Sequence, residues 1–166
     1  MGIFYDDPVQ PGGDGHVYLV RSVDNSYAGI TQMTDDCLGI TGGIISGQDT
    51  PKMEAQAIMR DDKGVLHMIG SHETGWSPNA ALFLTSPNSS IIGAVWGNDY
   101  NPSGDGSTWD SQSTFLYPYK HADGHTTHIW MADRWNEYGT CRRGVLHNSL
   151  PGWLAVHVAP RQLQHT

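Results

Sequence analysis

Short apolar runs separated by glycine-containing polar turns recur along the chain, and three of these units share one order. In each unit an apolar run leads into a turn closed by glycine, and a second apolar run follows. The runs are residues 3–7 with 16–22, residues 57–59 with 65–71, and residues 114–119 with 127–133. This order is typical of β-hairpins. The pattern therefore predicts three hairpins, which turn at Gly15, Gly64 and Gly124.

The spacing of these hairpins predicts a propeller. The turn glycines are 49 and 60 positions apart, which fits four-stranded blades of about 40 to 50 residues with loop insertions. Outer strands are predicted at residues 27–33 and 43–46 in the first blade and at 81–85 and 91–96 in the second. No stretch has helical periodicity, so we predict an all-β chain with about three consecutive antiparallel blades.

Propellers usually contain at least four blades, so about three blades predict part of a larger propeller. Residues 1–136 are assigned to the blades. Residues 137–166 are predicted to be a degenerate segment with one strand, at 153–158, and a disordered end. Residues 98–111 form a long polar stretch, and loops of this length inside a domain are often functional.

Charge and composition narrow the classes of ligand. The net charge is -8 with nine Lys and Arg, and the absence of a basic run argues against nucleic acid as a partner. Six Trp and seven Tyr would suit neutral, hydroxyl-rich ligands such as sugars, although most of these aromatics could instead belong to the core. The sequence shows no signal-peptide layout and no membrane span of roughly 20 apolar residues, and it leaves the compartment open.

The sequence predicts no metal or cofactor. Cys37 and Cys141 form neither a metal pair nor a disulfide framework, and their state is left open. His121, His125 and His128 straddle the Gly124 turn and lack a carboxylate or thiolate to complete a site, and the aspartates lack the spacing of a calcium loop.

Four motifs carry a resemblance to a known family. They are EAQA at residues 54–57, TGWSPN at 74–79, SQSTF at 111–115 and DRWN at 133–136. Their order and spacing resemble the galactan 1,3-β-galactosidase branch of the family 43 glycoside hydrolases, over residues 3–136. The resemblance implies a five-bladed propeller that hydrolyses a β-1,3-galactan-type polysaccharide with inversion, with its site at the mouth of the central channel. Such relatives are typically secreted.

The resemblance also implies roles for individual residues. Glu54 matches the general acid, and Gln112 matches the glutamine that stands in place of a carboxylate base and would orient the water. Inversion places two such groups about 6.5 to 9.5 Å apart. Thr74, Trp76 and Asn79 match the loop that borders the sugar. Asp133 and Arg134 match a motif that supports the site or the structure.

Two departures from the family pattern affect these expectations. Gln56 occupies a position where relatives have proline, which predicts a looser backbone after the acid. Relatives also have a blade and the start of the next before the position of Met1, so the resemblance implies a chain truncated at its N-terminus, with weak or no turnover and an unclosed blade that self-associates. The alternative is an inactive fragment or a carbohydrate-binding remnant that retains Trp76 and Asn79.

Overall fold

A computed structural model describes residues 1–75, 77–101, 103–108, 110–124, 126–134 and 153–157, with backbone only at 98–100, 131, 133, 134 and 153–157. All regular elements in this part are strands: β1 (Gly2–Tyr5), β2 (Val17–Val23), β3 (Tyr27–Gln32), β4 (Glu54–Arg60), β5 (Leu66–Ser71), β6 (Ala81–Ser86), β7 (Gly97–Tyr100), β8 (Ser111–Lys120), β9 (Thr126–Arg134) and β10 (Trp153–His157). No helix among the described residues is long and apolar enough to span a membrane.

The strands form three sheets in chain order. The first sheet contains β1, β2 and β3, the second β4 to β7, and the third β8, β9 and β10. Neighbouring strands are antiparallel except for β10, which runs parallel to β9. Gly15, Gly64 and Gly124 have φ angles of 81°, 84° and 90°, a left-handed conformation that glycine adopts without strain. The three predicted hairpins are therefore confirmed.

The prediction of four antiparallel strands in every blade is wrong for the described residues. Residues 43–46 contribute only an isolated bridge, between Ile30 and Ser46. Residues 91–96 form no strand, and β7 begins after them. The reason is that Ile91 and Trp96 are buried in the core, where the Trp96 indole donates a hydrogen bond to Ser46 Oγ at 3.1 Å. This segment fills space between sheets instead of extending an edge.

Two apolar clusters join the sheets face to face. The first cluster lies between the first and second sheets and includes Tyr18, Val20 and Ile58. The second cluster lies between the second and third sheets and includes Met59 and Phe83. Successive side chains of a strand point to opposite faces, so β4 supplies both clusters. The second sheet is thus packed between the other two, as one blade between its neighbours.

The innermost strands β1, β4 and β8 lie side by side, and β4 contacts both of the others. β1 and β4 run in the same direction, because Gly2 lies against the Gln56 carbonyl while Asp6, just after β1, bonds Arg60 at the end of β4. The beginning of β8 lies against the beginning of β4. The candidate site forms at this shared starting end, which is called the Glu54 end below.

Candidate active site

A bulge at the start of β4 sets the direction of the Glu54 side chain. Glu54 pairs with Ser71, but the next pair is Ala57 with Ile69, so β4 has one extra residue here. Ala55 has a φ of 53°, a left-handed conformation that costs a residue with a Cβ about 1 to 2 kcal/mol. An extra residue reverses the face to which the preceding side chains point. Glu54 therefore faces the third sheet.

The bulge brings Glu54 into contact with Gln112 of β8. Gln112 Nε2 donates hydrogen bonds to Glu54 Oε1 at 3.1 Å and to Ser71 Oγ at 2.9 Å. Both amide hydrogens are thereby used, which leaves the amide oxygen as an acceptor. Within the described part of the chain, Gln112 Oε1 and Glu54 Oε2 have no hydrogen-bond partner, and both residues are only partly buried. These two oxygens can meet a polar ligand.

The Glu54–Gln112 contact is closer than the separation expected for inversion. The two side chains converge at one end of the sheets, but as a direct hydrogen bond of 3.1 Å and not as groups about 6.5 to 9.5 Å apart. The contact arises because β4 and β8 are adjacent inner strands and both residues lie at their starting ends.

The backbone on both sides of Glu54 is held by side chains. The Met53 carbonyl accepts hydrogen bonds from Gln56 Nε2 and from Ser22 Oγ, both at 2.8 Å, and the Ala55 carbonyl accepts one from Ser113 Oγ at 2.5 Å. Gln56 was expected to loosen this backbone. The structure contradicts that expectation, because the Gln56 side chain is buried and bonded to the chain three residues earlier.

β5 also approaches Glu54 closely on the other side. A Cβ at Gly70 would lie 2.8 Å from the Glu54 carbonyl oxygen and 2.4 Å from the Met53 methyl group. Only glycine fits at this position without a shift of its neighbours. The polypeptide around the carboxylate is therefore fixed from the first, second and third sheets together.

The loop after β5 is closed by its own side chains. Asn79 is 8% exposed; its Oδ1 accepts from the His72 N–H, and its Nδ2 donates to the His72 carbonyl and to Thr74 Oγ1. Thr74 Oγ1 in turn donates to the Ser77 carbonyl at 2.7 Å. Asn79 thus holds the loop that presents the exposed Thr74. Trp76, predicted between them, lies outside the described residues.

A second buried residue ties this loop to the start of β8. The Thr108 hydroxyl donates to the Asn79 carbonyl at 2.7 Å, and the Thr108 carbonyl accepts from the Ser111 hydroxyl, also at 2.7 Å. Asp133 and Arg134 of β9 pair through their backbones with Gln112 and Ser111. Their side chains lie outside the described residues, so their predicted supporting role stays a prediction.

Sequence reasoning missed Ser71, Ser113 and Thr108. Ser71 had no usable signal, because regular pairing about the Gly64 turn places His72 opposite Glu54, and only the bulge brings Ser71 there. Ser113 bonds the Ala55 carbonyl across 58 positions, and Thr108 bonds the Asn79 carbonyl across 29 positions. No local sequence pattern predicts such long-range contacts.

Lys52 and Glu73 form an ion pair at the Glu54 end. Glu73 accepts from Lys52 at 2.9 Å, with side-chain exposures of 14% for Glu73 and 61% for Lys52. Among the described residues, no group of three or more His, Cys, Asp or Glu side chains could hold a metal ion. The chemistry available beside Glu54 is therefore that of a carboxyl group, an amide and hydroxyls.

Several solved structures are similar to this chain in fold and in sequence. The chain is 28% identical to the GH43 β-1,3-galactosidase BT0265, with a TM-score of 0.65 over 81% of this chain and 27% of that one. It is 26% identical to the exo-β-1,3-galactanase 1,3Gal43A of Phanerochaete chrysosporium, solved with galactose, with a TM-score of 0.63 over 81% of this chain and 29% of that one. The GH43 β-1,3-galactosidase BT3683, solved with galactodeoxynojirimycin, is 25% identical, with a TM-score of 0.59 over 97% of this chain and 45% of that one.

The chain is similar in sequence and in fold to these family 43 glycoside hydrolases. This confirms the resemblance found in the sequence and the assignment of an all-β, partial propeller. The chain spans between 27% and 45% of the length of the three family 43 structures compared. Neither a protein-family model nor a curated protein sequence matches it. The division at residue 136 stays a prediction, because residues 135–152 lie outside the described part.

Proposed function

We propose that the chain carries part of the active site of a glycoside hydrolase that cleaves β-1,3-galactan-type polysaccharide with inversion. The observation that carries this proposal is the Glu54–Gln112 pair at the starting ends of adjacent inner strands. The fold shared with β-1,3-galactosidases and with a galactanase solved with galactose supports the choice of substrate.

In this proposal Glu54 is the general acid. Its Oε2, which Gln112 does not engage, carries the proton that passes to the glycosidic oxygen as the bond to the leaving sugar breaks. Gln112 orients the attacking water through its free amide oxygen, and the proton that this water loses as it bonds the anomeric carbon passes to solvent. A water and a sugar ring fit between the two groups once Gln112 exchanges its bond to Glu54 for bonds to them, which the exposed side of the pair permits.

Residues of the loop after β5 border the sugar in this proposal. Thr74 is exposed and offers a hydroxyl, and Asn79 acts by holding Thr74 in place. Trp76 supplies an aromatic face for the apolar side of a sugar ring. Asp133 and Arg134 support Gln112 from β9.

The test is hydrolysis of β-1,3-galactan by the wild-type chain and by Glu54→Gln, followed as galactose release over long incubation because weak turnover is expected. Glu54→Gln removes the transferable proton, so we expect a loss of at least about 10²-fold. Asp62→Asn, an exposed carboxylate in the Gly64 turn, is the matched control and should keep wild-type activity. Equal activity in Glu54→Gln and the wild type would refute the role of Glu54.

A carbohydrate-binding module without turnover is the second candidate. The observation that favours it is the direct 3.1 Å contact, which occupies the place of the catalytic water. Binding of β-1,3-galactotriose, with no release of galactose by the wild type and equal affinity in Glu54→Gln, would establish this second function. Release of galactose that is first seen as its α anomer by proton NMR, the product of hydrolysis of a β-linkage with inversion, would exclude it.

A further inference from the structure

We propose that Gln56 is a positioning residue for Glu54, because its buried amide holds the bulge that turns the Glu54 carboxyl toward Gln112. The effect on catalysis rests on the function proposed above. The effect on the geometry of the site does not, and it can be measured separately.

The buried Gln56 side chain bonds the backbone just before Glu54. Gln56 is 1% exposed, and its Nε2 donates to the Met53 carbonyl at 2.8 Å. This bond links the residue before the acid to the second residue after it. The two residues that it encloses are Glu54, the last paired residue before the bulge, and Ala55, which lies in the bulge. The amide therefore spans the part of β4 whose shape decides where Glu54 points.

The carbonyl oxygen of the Gln56 amide argues against a role in packing alone. Gln56 Oε1 is buried and has no hydrogen-bond partner in the described part of the chain. A buried acceptor without a partner is costly, and a leucine or methionine would fill similar volume without that cost. Packing alone therefore does not explain a glutamine here, whereas the bond from Nε2 does.

The hydrogen bond from Gln56 to the Met53 carbonyl excludes a regular β4 without the bulge. A regular β4 would lack the extra residue, and Ala55 would leave its left-handed φ of 53°. Such a change of register would turn Glu54 to the face of Ile58, toward the first sheet and away from Gln112. Ser22 also bonds the Met53 carbonyl, but it fixes only that one group and does not span the bulge.

The experiment uses the side-chain amide signals of Gln112 in ¹⁵N-labelled protein, assigned by their loss in Gln112→Ala. Gln56→Leu removes the donor, so we expect the Gln112 signals to shift toward those of a free glutamine side chain. Adding Ala55→Gly should move them back, because glycine favours the left-handed conformation without a clamp. Gln32→Leu, in the half-buried β3 position, is the control and should leave the Gln112 signals unchanged.

Kinetics give the second readout. If the chain turns over galactan, Gln56→Leu should lower kcat by on the order of 10²-fold with little change in KM, and Ala55→Gly should restore part of it. Absence of turnover in the wild type would count against the proposed hydrolase activity of this chain. The Gln112 amide signals alone would then test the positioning role of Gln56. Unchanged Gln112 signals in folded Gln56→Leu would overturn the proposal. So would failure of both Gln56→Leu and Gln56→Met to fold, since a local clamp predicts folded variants.

Discussion

At the scale of single residues, the ionised Asp61 side chain stabilises the fold at a distance from the candidate active site. Its Oδ2 lies 3.0 Å from His67 Nε2, and its Oδ1 accepts from the N–H groups of Lys63 and Val65. Burial alone would raise the pKa of Asp61, but the hydrogen bonds from His67 and from these backbone groups outweigh it and hold the pKa below its usual value. Asp61 therefore stabilises the fold in its ionised form.

This predicts a loss of stability in acid. A carboxyl with a lowered folded-state pKa contributes stability above its unfolded pKa of about 3.9, and this is lost as pH falls below that value. Urea unfolding at pH 7 and pH 3 should show a smaller pH dependence for Asp61→Asn than for the wild type. Asp62→Asn, the exposed neighbour, should keep the wild-type dependence. The same dependence in all three proteins would contradict this account.

At the scale of elements, a buried ion pair joins the first two sheets at the end opposite Glu54. Arg60 Nε and Nη2 donate to the two oxygens of Asp6 at 2.7 and 2.6 Å, and both side chains are almost fully buried, at 1% and 0% exposure. Arg60 Nη1 also donates to the Gly64 carbonyl in the turn. The pair therefore fixes the chain after β1 against the end of β4.

Removal of one partner should cost much more than removal of both. Asp6→Leu or Arg60→Met alone leaves an uncompensated buried charge and should lower the free energy of unfolding by about 3 to 5 kcal/mol. The double variant should cost clearly less than the sum of the two single variants. Urea unfolding of the four proteins in a double-mutant cycle measures this coupling, and additive losses would show that the pair is not coupled.

The elements differ in how far the sequence predicts them. Turns at Gly15, Gly64 and Gly124 are local, so turn chemistry is sufficient to place the hairpins. The segment around Trp96 was misplaced because its apolar residues pack against the first sheet, a contact with no local signal. The motif around Glu54 identified the strand end, but the bulge was not predictable, because alanine at position 55 gives no indication of a left-handed residue.

At the scale of the whole molecule, the inner strands expose apolar side chains. Ile3, Tyr5, Phe115 and Tyr117 are between 45% and 60% exposed and line a cavity of about 300 Å³ that contains neither Glu54 nor Gln112. Neighbouring exposed apolar groups of this kind favour association. We expect light scattering to show a mass that rises with protein concentration, and Tyr5→Lys with Tyr117→Lys to lower it. A monomer at every concentration would contradict this expectation.

The central proposal is that a β-1,3-linked galactose oligosaccharide binds at the Glu54 end of the inner strands. Titration of ¹⁵N-labelled protein with β-1,3-galactotriose tests it most directly, with the β-1,4-linked trisaccharide as the linkage control. We predict saturable shifts of the Gln112 side-chain amide and of the Ser71 backbone amide, weaker or absent with the control sugar. Shifts confined to Ile3, Tyr5 and Tyr117 around the cavity, or no shifts at Gln112 and Ser71, would contradict the account.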